Sequence, residues 1–125
     1  MRKSILVAVA VSIAVPVLAA PPGSAQNFLD RANRLKGKGP FALMDSDYGR
    51  LKAEATAVGK SIGDERRAAE RAGKPVLHCS PTPRAQLGSF EFIDGLEAIP
   101  AVERVRMSLR DAMLRILQKK YPCRR

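Results

Sequence analysis

The chain has 125 residues, 46% of them hydrophobic and 27% charged, with 22 Lys and Arg against 12 Asp and Glu and a formal net charge of +10. That composition excludes a disordered, fibrous or collagen-like chain and fits one small globular domain. The positive excess admits nucleic acid, anionic lipid or an acidic protein as partner, but the bases are interspersed with acids and lack interleaved aromatics, which argues against a nucleic-acid platform.

Met1-Arg2-Lys3-Ser4 is a basic start, Ile5 to Ala20 is apolar and small, and Pro21-Pro22-Gly23-Ser24-Ala25 follows. This is the three-part layout of a secretory signal peptide. The apolar run is broken by Pro16 and falls short of the roughly 20 residues that a membrane-spanning helix needs. The small-residue rule for cleavage is met after Ala25, with Gly23 and Ala25, and after Ala19, with Val17 and Ala19. The first is preferred, so the reading is a leader over residues 1–25 and one domain over 26–125. The product is expected in the periplasm, with no stable membrane insertion once the leader is gone.

A helix is expected from Asn27, where Phe28, Ala32 and Leu35 share a face, until Gly37, Gly39 and Pro40 end it. Phe41 to Met44 gives one apolar turn, and Asp45-Ser46-Asp47 supplies N-cap residue types. The next helix runs from about Asp47 to Ala72, with Tyr48, Leu51, Ala55, Val58 and Ile62 in one core-facing stripe. Gly59 and Gly63 predict a bend or a close helix approach, and the charged turns from Asp64 to Arg71 are expected to project into solvent. Gly73-Lys74-Pro75 stops this helix.

Pro81, Pro83 and Gly88 keep the chain irregular until Ser89, which is expected to cap a helix carrying Phe90, Ile93 and Leu96 inward. Ile99-Pro100 makes a turn. The last helix, from Val102 to Lys120, puts Val102, Val105, Leu109, Ala112, Met113, Ile116 and Leu117 in one apolar arc, with Arg104, Asp111 and Arg115 opposite. Met107 and Leu114 lie on a flank with Arg110 between them and the main stripe, and that flank needs a cover, either another helix or a partner. No strand-like alternation of useful length is present. The fold class read from this is an all-α bundle of four to five helices with short connections.

Cys79 and Cys123 are the only cysteines. In an exported chain they are expected to pair and to staple a two-helix hairpin across its ends, the other options being free thiols or an intermolecular bridge. His78 beside Cys79 is one potential ligand where a zinc site needs three or four, so it reads as an ordinary loop histidine. Asp45 with Asp47, and Glu91 with Asp94, sit where helix caps and surfaces favour acids. No nucleophile elbow, phosphate loop, dinucleotide fingerprint or metalloprotease motif is present, so neither catalysis nor a cofactor or metal is expected.

The C-terminal half carries His78-Cys79-Ser80-Pro81, a capped helix, Ile99-Pro100, an amphipathic helix with Leu109 and Ala112, and a closing Tyr121-Pro122-Cys123. In this it resembles the Rap/Tai immunity family, small exported helical proteins that protect bacteria from type VI secretion amidases that cut cell-wall peptide. The resemblance covers roughly Leu77 to Cys123. It implies a non-catalytic protein that docks on a cell-wall amidase toxin and occludes its groove. The Met107, Arg110 and Leu114 flank is the expected contact, with a homodimer as another way to cover it. A second reading is a periplasmic acid-stress chaperone of the Hde type, also small, helical and held by one disulfide.

Overall fold

A computed structural model describes residues 19–81 and 87–124, and among these the fold is all-α. The elements are α1 (Ala25–Gly37), a 3-10 turn (Gly39–Met44), α2 (Ser46–Arg71), α3 (Ser89–Ala98), α4 (Ala101–Arg104) and α5 (Leu109–Lys120). The leader read at the N-terminus falls largely on residues 1–18, outside the described part. The domain itself begins earlier than Gln26, because Ala25 is fully buried and opens α1.

Helix α1 is the central element: it touches α2, α3, α4 and α5. Its apolar face buries Ala25, Phe28, Leu29 and Leu35, and the Phe28 ring meets Phe92 of α3 at 5.5 Å between centroids with a 58° tilt, a favoured aromatic arrangement. Helix α2 starts where its sequence says: the Asp45 carboxylate accepts from the Asp47 N–H at 2.8 Å, and Asp47 adds an acid at the positive end of the helix dipole. Its inner stripe buries Leu51 and Ile62 and half-buries Ala55 and Val58, while Tyr48 stays exposed.

The end of α2, the phase of α3 and the length of the last helix differ from expectation. The charged end of α2 does not simply project into solvent, since Arg66 turns inward and donates to the carbonyl oxygens of His78 at 3.1 Å and Ser80 at 3.2 Å. In α3 the inward aromatic is Phe92, with Phe90 85% exposed; ten residues hold too few turns for periodicity to fix the phase. The long last helix is broken into α4 and α5, because Ser108 caps α5 by accepting from the Asp111 N–H at 3.0 Å. Val102 and Val105, assigned to the core arc, are therefore exposed.

The break is stabilised from outside. Arg104, expected opposite the core, instead reaches the end of α3, where it donates to the carbonyls of Leu96 at 3.2 Å, Glu97 at 3.1 Å and Ile99 at 2.5 Å, and to the Gln26 amide oxygen at 2.8 Å. A guanidinium there satisfies carbonyls that a helix C-terminus leaves without partners and complements the dipole.

The close helix approach lies at Gly95, not at Gly59 or Gly63. A Cβ on Gly95 would sit 2.8 Å from Cδ1 and 2.9 Å from Cγ1 of Ile116, whereas one on Gly59 would meet only Met113 Sδ, at 3.7 Å. Gly95→Ala gains roughly 1 kcal/mol of helix propensity but incurs an overpacking cost of about 1–3 kcal/mol. The expected net result is a lower urea midpoint, with the penalty shrinking in an Ile116→Val background that removes the nearest methyl. A Gly95→Ala protein more stable than the parent would show that α3 and α5 can part without cost.

Candidate functional site

Cys79 and Cys123 form a disulfide, with a Cα separation of 4.9 Å and a sequence separation of 44. It ties the segment before α3 to the end of α5, and neighbouring bonds run the same way: the Cys79 N–H donates to Tyr121 O at 2.9 Å and the Gln118 amide to Leu77 O at 3.0 Å. Its sulfurs are consumed in this bond, so Cys79 offers no thiolate to His78.

His78 is not an ordinary loop residue. It is 2% exposed, and among the described residues neither ring nitrogen has a hydrogen-bond partner; nor has the buried hydroxyl of Ser80, two residues on. Burial pushes the imidazole below its usual range, and the Arg66 charge pushes the same way. Among the described residues, no group of three or more His, Cys, Asp or Glu is placed to hold a metal ion.

The acids serve structure. Asp45 pairs with Lys38; Arg31 pairs with Asp47 at 2.8 Å and Glu54 at 2.7 Å; Glu91 pairs with Lys120 at 2.6 Å. These hydrogen bonds to cations hold Asp45, Asp47 and Glu91 below the ordinary carboxylate range, and Arg31 above its own, with the Asp47 bond as the largest cause. A general acid needs the opposite shift.

The flank of Met107, Arg110 and Leu114 is largely used inside the monomer. Met107 and Leu114 are half-buried against the core, and the Met107 carbonyl accepts from the Ala25 N–H at 2.9 Å. Arg110 pairs with Glu65 of α2 and, at 3.2 Å, with Asp111. The cover comes from the start of α1 and from α2.

The open apolar surface lies elsewhere, on the 3-10 turn. Phe41, Leu43 and Met44 are 71%, 69% and 84% exposed, and Tyr48 on the first turn of α2 is exposed beside them in the chain. Large side chains so placed stand against the burial trend of their type. The backbone beneath them is held at both ends: Asp45 closes the turn through Lys38 and caps α2, and Asp47 is held by Arg31. Arg34, Lys36, Arg50 and Lys52, on either side of the turn in sequence, are exposed. No sequence signal separates this turn from a buried one, because Phe-Ala-Leu-Met composition by itself predicts burial.

Two open depressions, of about 190 Å³ at Arg34 and Lys38 and about 170 Å³ at Gly95 and Ile116, are smaller than the roughly 300–1,000 Å³ of small-molecule sites. No helix of the described residues is long and apolar enough to cross a membrane. No protein-family model matches this chain, and neither curated proteins nor solved structures give a match.

Proposed function

We propose that this is an exported, non-catalytic binding protein that docks on an acidic groove of a protein partner, in the manner of immunity proteins that occlude a cell-wall amidase. The observation that carries the reading is the exposed apolar turn Phe41, Leu43 and Met44 on a backbone fixed by ion pairs. Aromatic and Met side chains with nearby Arg are the composition enriched at interface centres. A turn already held in place loses little further freedom on docking. The exposed Arg and Lys residues on either side of the turn in sequence call for an acidic partner surface, which also speeds encounter. The contact therefore moves from the Met107, Arg110 and Leu114 flank to this turn.

The test is a titration of the oxidised protein with a purified small cell-wall amidase, sought first among the products of neighbouring genes. Binding is expected to weaken at least ~100-fold, about 2.7 kcal/mol, in a Phe41→Asp, Met44→Asp variant whose melting temperature is unchanged, since both side chains are exposed. Parental affinity in the folded variant removes the turn from the reading, and no binding by the parent removes the immunity role itself. The acid-stress chaperone is favoured by one feature, the buried and unpartnered His78. It predicts suppression of client aggregation in acid and none at neutral pH.

A further inference from the structure

As a sequence, Pro21-Pro22-Gly23-Ser24-Ala25 reads as the polar end of a leader; in the fold these residues are a built part of the domain. The Ser24 N–H donates to Pro21 O at 3.1 Å, and Gly23 has φ of 78°. Proline followed by a positive-φ glycine at the two central positions is the order a type II turn requires. Ser24 then caps α1 by accepting from the Asn27 N–H at 3.1 Å.

This turn also closes onto the far end of the chain. The Leu109 N–H donates to Gly23 O at 3.0 Å and the Ala25 N–H to Met107 O at 2.9 Å, an antiparallel bridge centred on Ser24 and Ser108. The two bridged residues are the caps of α1 and α5. Ser24 is 6% exposed and Ala25 0%, whereas the chain reaches the surface at Ala19.

Cleavage after Ala25 would discard the turn, the cap and the bridge together. It would also place a new ammonium group at the start of α1, where the helix dipole is already positive. Cleavage after Ala19 satisfies the small-residue rule through Val17 and Ala19 and leaves only Ala20 ahead of the turn. The geometry points to processing of the exported chain between Ala19 and Ala20, with Gly23 to Ala25 kept in the mature protein as a clasp on α5. This rests on the export reading, which the following experiment tests separately.

Protein recovered from the cell envelope is expected to begin at Ala20 by N-terminal sequencing and intact mass. A start at Gln26 overturns the processing site while leaving export standing; a full-length chain starting at Met1 overturns both. A second measurement is independent of export: purified, oxidised chains starting at Ala20 and at Gln26 are compared by thermal unfolding. The shorter chain is expected to melt roughly 10 °C lower, as the loss of a helix cap and two buried backbone hydrogen bonds implies for a domain of this size. Equal melting temperatures would show that the clasp contributes nothing and would overturn the inference.

Discussion

A chain in which Cys79 and Cys123 are both replaced by serine unfolds at a much lower urea midpoint than the oxidised protein, a loss of about 2–5 kcal/mol. The disulfide closes a loop with a sequence separation of 44, so its removal frees a large part of the unfolded chain. It also releases the segment from Val76 to Ser80, which Arg66 and Gln118 otherwise hold from α2 and α5. Changing both residues avoids a stray thiol. Parent protein reduced with dithiothreitol should unfold at nearly the same midpoint as the double variant. A double variant within ~0.5 kcal/mol of the oxidised parent, the range of ordinary surface changes, would show that packing alone holds the two ends together.

The parent protein loses stability as pH falls from 7 to 5, and a His78→Leu variant does not. Burial holds the folded-state pKa of His78 below the unfolded value near 6.5, so below that pH the unfolded chain takes up a proton that the folded chain refuses. Stability is thus full above the ordinary histidine range and declines as pH falls through it toward the folded pKa. Asp45, Asp47, Asp64 and Glu91 are also held low, but their contribution is lost only below about pH 4, leaving the two windows distinct. At pH 5 the leucine variant should be the more stable protein, by about 1–3 kcal/mol, because it no longer buries nitrogens without partners. Thermal melts at a series of pH values decide it. An equal slope in the two proteins would place the titration elsewhere.

The helices are legible in sequence where their ends are set locally. Asp45 before α2, and the Gly73 to Pro75 stop after it, are chemistry acting within a few residues, and the stripe from Leu51 to Ile62 follows from the helical period. The break before α5 has a local mark in Ser108, three residues before Asp111, but the apolar arc from Val102 onward reads as one continuous helix. The roles of Arg66 and Arg104 are not legible. Charge patterning assigns an arginine to a face, and whether its guanidinium reaches a carbonyl from another element depends on where that element packs. The exposed turn at Phe41 to Met44 is hidden for the opposite reason: composition measures what a side chain prefers, and here the fold leaves that preference unmet.

The Ser24 and Ser108 bridge, with Arg104 bonded to Gln26 at a sequence separation of 78, has a consequence for the order of events in folding. Helix α1 precedes the other helices, and although α2 follows it directly, its neighbours α3, α4 and α5 come last, so the part of its apolar face that they cover waits until the chain is nearly whole. Contacts this distant in sequence carry a loop-closure cost before they return any stability, which slows their formation. The native bundle is therefore assembled only after synthesis or translocation is all but complete, and until then Phe28, Leu29 and Leu35 are the surface on which a holding chaperone would act.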